Sequence, residues 1–324
     1  MLDVKDRKIL YELDKDARQP ISQIAKKVGL SKQLTKYRID KLIENKSIQQ
    51  FVMMLDTKKM GYCFYDLFLQ LQNMPKSKQE EFVTFLKGID TVGWLASTIG
   101  KWDIVVAIFT KDISEFNATL DEIYTRYGKY IKDKTFIIDI SAFSCKNKFL
   151  SQEENELDDE YYGSDKIVKL DKNDMRLLKL LDEDVRRSAL DISKKIGVSF
   201  DTVQRKIKKL KKKGVIQGFK IKVDPSVFGH EWHLVLFELN AINDLERQKF
   251  VQKLRKHKHV VFIINTIGNW NMMVDVHVRG SNHFQEFIEE LKEEFGYMIK
   301  SYENLTVAKD HKTTYVPEAV MRVC

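Results

Sequence analysis

The chain has 324 residues, a mass of 38.1 kDa and a formal charge of +8. Its 43% hydrophobic and 31% charged residues exclude disorder, and four prolines with 14 glycines exclude collagen-like or low-complexity designs. A mean hydropathy of −0.36 argues against a membrane span; the three dispersed cysteines exclude a disulfide framework and a CxxC zinc site. With no basic-then-apolar leader at the N-terminus, a cytoplasmic protein is expected.

The charge is unevenly placed. Residues 151–165, SQEENELDDEYYGSD, hold seven acids and no base; without them the chain carries +15. Poor in apolar side chains, this stretch reads as a solvated linker dividing the chain.

The two halves repeat at an offset of 168 residues. Leu2–Gln49 and Leu170–Gln217 share 18 identities in 48 positions, where chance gives roughly three. Thr98-Ile99-Gly100-Lys101-Trp102-Asp103 likewise matches Thr266-Ile267-Gly268-Asn269-Trp270-Asn271. A unit of about 155 residues is too long for a solenoid repeat.

In chain order, residues 6–13 place Ile9, Leu10 and Leu13 at helical spacing. Residues 21–28 form a second helix closed by Gly29, and Ser31 is an N-cap for a third from Lys32 to about Asn45. An extended run, 48–55, follows. The pattern is a winged helix-turn-helix, expected over 1–56. Strands are then predicted at 65–71, 92–98, 103–109 and 134–143, with helices at 76–87 and 113–127. This strand-helix-strand-strand-helix-strand order is ferredoxin-like, expected over 57–150. The second unit repeats both parts over 166–224 and 225–324. There the third helix follows Ser199 with Val203, Ile207 and Leu210 as its buried stripe, and an extended run at 216–223 follows. The later strands are predicted at 233–239, 260–266, 272–278 and 302–308, and the helices at 245–256 and 282–295. The fold class is therefore α+β, with four small domains in tandem.

Each unit resembles a complete member of the Lrp/AsnC family of transcription regulators. The resemblance rests on Asp6-Arg7-Lys8-Ile9-Leu10, the turn Ile24-Ala25-Lys26-Lys27-Val28-Gly29-Leu30-Ser31, and Arg38-Ile39-Asp40-Lys41-Leu42. In the second unit it rests on Lys206-Ile207-Lys208-Lys209-Leu210, Lys213-Gly214-Val215-Ile216 and Val223-Asp224-Pro225-Ser226-Val227-Phe228-Gly229. It implies DNA-reading domains, sensor domains that dimerise, and an amino-acid effector held between sensor domains. The family's usual chain carries one unit; this one carries two.

On that reading the partner is double-stranded DNA. Candidate contacts in the first reader are Ser31, Lys32, Gln33, Lys36, Tyr37 and Arg38. In the second they are Ser199, Phe200, Asp201, Gln204, Arg205, Lys206 and Lys209. Gln pairs bidentately with adenine, and Arg or Lys with guanine. The two sets differ in chemistry, so an asymmetric operator is expected. Arg205–Lys213 holds seven bases in nine residues; a solvated helix face is the bland alternative to a phosphate track. Neutralising Lys206 and Lys209 is expected to flatten the salt dependence of binding. Phe200 either touches a thymine methyl or packs on its own domain.

The effector set implied by the resemblance is Gly100, Trp102 and Asp103 with Gly268, Trp270 and Asn271. Asp103 would hold an α-ammonium group, and Asn271 lacks that charge, so unequal sites are expected. The alternative is a plain hairpin turn backed by core tryptophans.

All seven histidines lie in the second half, and the spacing of His230 and His233, or of His257 and His259, does not suggest a metal site. No metal and no cofactor are expected. A branch sharing this two-domain fold resembles decarboxylases of haem precursors, whose expected strand histidine is missing from residues 260–266 and from Trp94-Leu95-Ala96-Ser97. The chain is accordingly expected not to be an enzyme. An architectural DNA-binding role without effector is a further alternative. The linker is long enough for the second sensor domain to fold back on the first, and a homodimer or homotetramer is expected above that.

Overall fold

The computed structural model describes residues 2–150, 160–163, 166–241 and 243–321. Most of the acidic stretch read as a linker lies outside them.

The first reader comprises α1 (Val4–Lys15), α2 (Ile21–Val28), α3 (Lys32–Glu44) and the strand β1 (Ile48–Leu55). Asp3 and Asp6 form a capping box that starts α1; Gly29, at φ +66°, ends α2 in the left-handed conformation glycine tolerates. The Leu34 amide donates to the Ser31 hydroxyl over 3.1 Å and starts α3.

A second reader repeats these devices at the same offset. After the short β6 (Glu160–Tyr162) come α6 (Lys172–Glu183), α7 (Ala189–Ile196), α8 (Phe200–Lys212) and β7 (Ile216–Val223). Its caps are Asp171 with Asp174, Gly197 and Ser199.

The two readers are one body. β1 and β7 pair antiparallel, and a single hydrophobic core runs through both domains. Ile9, Leu10 and Leu13 of α1 and Leu177, Leu178 and Leu181 of α6 are fully buried in it; each contributes about 1.5–3 kcal/mol relative to exposure.

Between the readers in sequence lie β2 (Cys63–Leu71), α4 (Lys76–Gly88), β3 (Val92–Ile99), β4 (Ile104–Thr110), α5 (Ile113–Tyr127) and β5 (Ile131–Ser144). After the second reader come β8 (Glu231–Leu239), α9 (Asp244–Lys256), β9 (Val260–Ile267), β10 (Met272–Val278), α10 (Gly280–Phe295), β11 (Ile299–Thr313) and α11 (Glu318–Met321).

The sensor domains close on each other. The strand order is β2-β4-β3-β11-β8-β10-β9-β5, and β5 pairs back with β2, so eight strands form a ring with β6 appended to β5. The long strands make the closure. Ile138 of β5 lies opposite both Tyr65 of β2 and Ile267 of β9, so β5 begins in its own sheet and ends in the other unit's. β11 does the same at Thr306, leaving β8 for β3. Closure pairs the edges that each four-stranded sheet would otherwise expose. The helices α4 and α5 cover the outer face of one sheet, and α9 and α10 the other. The inner faces pack together around Phe68, Trp102 and Trp270.

Candidate nucleic-acid interface and sensor loops

α3 and α8 each bury one stripe and expose the rest. Thr35, Ile39 and Leu42 face the core from α3, as Val203 and Leu210 do from α8. Lys32, Gln33, Lys36 and Tyr37 are exposed on α3; Phe200, Asp201, Gln204, Arg205 and Lys209 are exposed on α8. Ser31 and Ser199 cap the two helices and are exposed beside these faces. Phe200 remains 43% exposed, so its ring is available to a partner.

Arg38 and Lys206, both expected at the DNA, are held by acids of their own reader. The Arg38 guanidinium donates to Asp3 Oδ2 at 2.7 Å and to Asp6 Oδ1 at 2.8 Å. Lys206 Nζ does the same to Asp171 Oδ2 and Asp174 Oδ1, each at 2.7 Å. Both cations tie the recognition helix to the capping box that starts the first helix of the same reader. The pairing holds the Arg38 pKa above, and those of Asp3 and Asp171 below, their ordinary values, chiefly through these hydrogen bonds and those to the capping-box backbone. A Lys206→Met variant is expected to lose roughly 1 kcal/mol of stability while its DNA-binding salt slope stays unchanged. Denaturation and salt titration of the same sample check both.

The free charge is unequal. On α3, Lys36 pairs with Asp40 at 2.6 Å and Lys41 with Glu44 at 2.7 Å. On α8 and its cap, no ion pair engages Lys208, Lys209, Lys212 or Lys213 among the described residues. The second reader therefore presents the stronger positive field.

One element of the reader pair was missed in the sequence. Arg18 donates to the Val185 carbonyl and lies over Phe219, its carbon 5.3 Å from the ring centre. Arg186 donates to the Ala17 carbonyl at 2.8 Å and lies over Phe51 at 5.5 Å. The four residues exchange under the offset of 168, so each unit's arginine clamps the other. The repeat carried this signal, since Arg18 and Arg186 are one of its identities.

The sensor loops are built into the same pseudo-twofold closure. A Cβ on Gly100, at φ +149°, would lie 2.7 Å from Leu305 Cδ2 and 3.1 Å from the Asn304 carbonyl of β11. On Gly268, at φ +144°, it would lie 3.0 Å from Ile137 Cγ2 and 3.1 Å from the Phe136 carbonyl of β5. Trp102 and Trp270 are buried against each other and Phe68. The glycines and tryptophans thus hold the two units together. Asp103 Oδ2 accepts from the Leu71 amide at 2.6 Å, and Asn271 Oδ1 from the Leu239 amide at 2.7 Å. Asp103 borders an open groove of about 580 Å³, beside Asn73, Ser97 and Thr98.

No helix among the described residues is long and apolar enough to cross a membrane, and no group of three or more metal-ligating side chains is found there. Two adjoining chambers, one inside the ring and one between the ring and the readers, bring together residues that no motif marked, among them Asp66, Trp232, Asp275 and His277.

Comparison with known proteins agrees with this architecture. Residues 2–46 and 170–217 match the model described as winged helix-turn-helix DNA-binding, and residues 234–314 match the Lrp/AsnC ligand binding domain. The chain is 30% identical over 122 residues to the regulatory protein AsnC of Haemophilus influenzae, spanning 37% of this chain and 79% of that protein. It is 27% identical over 147 residues to the HTH-type transcriptional regulator FL11 of Pyrococcus abyssi, spanning 45% of this chain and 95% of that one. These regulators match about one unit each. A solved structure matches both: the siroheme decarboxylase NirDL, with a TM-score of 0.65 at 16% identity, covers 98% of this chain and 96% of its own. That match corrects the expectation that the chain is not an enzyme, because the protein sharing its fold from end to end is one.

Proposed function

Starting from the fact that the chain belongs to the Lrp/AsnC family, we propose that it is a sequence-specific DNA-binding regulator reading an asymmetric operator. The observation that carries this reading is the pair of recognition faces on one body, exposed alike and different in chemistry. Lys32, Gln33, Lys36 and Tyr37 stand where Phe200, Asp201, Gln204 and Arg205 stand in the other reader. A shared core supports a fixed separation, suited to half-sites about one helical turn, roughly 34 Å, apart. Site selection from random duplexes should return two unlike half-sites; a strict palindrome would count against the proposal.

Affinity should fall steeply with salt. Replacing Lys209 with glutamine is expected to flatten the log–log slope by about 0.9, measured by anisotropy titration across salt concentrations. An unchanged slope removes Lys209 from the phosphate contacts.

For an amino-acid effector we propose the groove beside Asp103. One of the two carboxylate oxygens is engaged by the Leu71 amide, and the other would accept from an α-ammonium group. Two equal amino-acid sites per chain in calorimetry would contradict this. Above the single chain, a homodimer or homotetramer is proposed, and mass measurement in solution tests it.

A second reading, decarboxylation of a siroheme-type tetrapyrrole, is supported by the end-to-end likeness in fold. Incubation with that tetrapyrrole, followed by absorbance and product mass, tests it directly.

A further inference from the structure

We propose that the interior of the strand ring, below the readers, is a binding site for one compact organic cation of the ammonium or guanidinium class. The proposal stands independently of the DNA-binding reading. Two adjoining cavities of about 120 Å³ and 100 Å³ meet there, sharing Trp232, Phe262, Asp275, Thr313 and Tyr315.

The larger cavity has aromatic walls and an acidic floor. Trp94 and Trp232 stand 5.8 Å apart between ring centres, with Phe64 and Phe109 beside them. Asp66 of β2, Asp139 of β5 and Asp275 of β10 supply three carboxyl groups, and no lysine or arginine borders this cavity. Asp66 and Asp139 are 2% and 5% exposed and hydrogen-bonded to each other, which requires a proton between them. Burial opposes the Asp275 carboxylate, while Trp232, which shares this lining, favours it. A cation within about 6 Å of an aromatic face is attracted by its quadrupole, most strongly when desolvated.

The smaller cavity offers acceptors. His277 and Asn147 are each 6% exposed, and His277 Nδ1 and Asn147 Oδ1 have no hydrogen-bond partner among the described residues. Burial and the neighbouring histidines push the His277 pKa down to about 3, so the ring is neutral and one nitrogen can accept. The cations at this end are engaged. Lys222 lies 2.5 Å from Asp310 Oδ2, and Lys220 donates to the Cys145 carbonyl at 2.9 Å. A buried polar atom left unpaired is costly, and the groups lacking a donor here suit a ligand rich in N–H.

The asymmetry is a product of the fused repeat. Under the offset of 168, Asp275 corresponds to Ala107, Asp66 to Leu234 and His277 to Phe109. Two identical subunits would place each acid twice about the axis; here the first unit contributes Asp66 and Asp139 and the second Asp275. The space suits a few heavy atoms, such as guanidinium or a short alkylammonium.

Binding should expel a proton. Burial raises the Asp275 pKa to about 8, so the empty site is protonated at neutral pH and a bound cation favours the carboxylate. Asp14, Asp66, Asp139, Asp310, Cys145, Tyr315, His277, Lys220 and Lys222 are the other titratable groups that line or flank these cavities. Affinity should therefore rise with pH by about tenfold per unit below 8.

The test is calorimetry of the full chain with guanidinium chloride at matched ionic strength, with urea as the uncharged isostere. One saturable site per chain is expected, with proton release seen across buffers of different ionisation enthalpy and no binding of urea. Asp275→Asn should fold by circular dichroism and bind guanidinium about tenfold more weakly or worse. Trp94→Leu, which removes a wall and no charge, should also weaken binding, and it provides the same readout if the first variant does not fold. Absence of saturable binding, equal binding of urea, or unchanged affinity in both variants overturns the proposal.

Discussion

Valine at Gly100 or at Gly268 is expected to lower stability by roughly 2–4 kcal/mol, combining backbone strain with overpacking. Both glycines sit at positive φ, and the nearest obstacles to a Cβ include backbone carbonyls of the opposite unit's long strand. A carbonyl in a β-ladder cannot swing aside as a side chain does. The loops close on β11 and β5, so either change should prise the ring open at one seam. Gly218→Ala is the control: nothing lies within 4 Å of a Cβ there. Urea denaturation should separate the three variants. Valine variants as stable as the control would mean that the loops do not press on the opposite strands.

The second large effect is a stability that falls as pH rises from about 4 to 8, through Asp275. Its pKa is raised to about 8 in the fold, against about 3.9 in an unfolded chain. Below pH 4 both states hold the proton and the group contributes no penalty. Between these values the unfolded chain releases a proton that the folded one retains, so folding becomes less favourable as pH increases. Above 8 the penalty is complete. Asp275→Asn removes the ionisation at nearly unchanged side-chain size, so at pH 7 the variant is expected to be more stable by roughly 3–4 kcal/mol. Denaturation midpoints of both proteins from pH 4 to 9 provide the check; parallel curves would show that Asp275 titrates normally. The same substitution should weaken guanidinium binding about tenfold or more, so stability and ligand affinity move in opposite directions.

These effects bear on how the readers are controlled. β1 and β7 pair across the units, Arg18 and Arg186 clamp reciprocally, and one core runs through both domains. The readers also rest on the ring: the Asn147 amide and side chain both donate to Asp14 of α1, at 2.7 and 3.0 Å. The smaller cavity, lined by Asp14 and Lys220 of the readers and by Asp275 and His277 of the ring, places one end of the site at the seam joining reader and sensor. Independent swinging of one reader would break the shared core.

The duplication, the order of elements and the inequality of the readers were all legible in the sequence. Each is local: caps such as Ser31 and Ser199, left-handed glycines such as Gly29 and Gly197, and apolar spacing act within one or two turns of chain. The structure lengthens the last strand of each unit, to Ile131–Ser144 and Ile299–Thr313. Their final residues are paired by the other unit, which no local pattern reports.

The candidate sites were less legible for the same reason. Arg38 and Lys206 read as contacts because helix periodicity turns them off the buried stripe; acids 32 to 35 residues away capture them. Gly100 and Gly268 read as effector loops, and strands from the opposite unit press on them. Asp66, Asp275, Trp232 and His277 carry no motif at all, because alternation along a strand specifies which face a side chain takes and not what it meets there. By itself the sequence determined that there are two complete, unequal units. The tertiary structure decided that they join within one chain, which side chains that junction consumes, and where it leaves a charged interior. Those outcomes depend on contacts between residues more than a hundred positions apart, where local propensity has no influence.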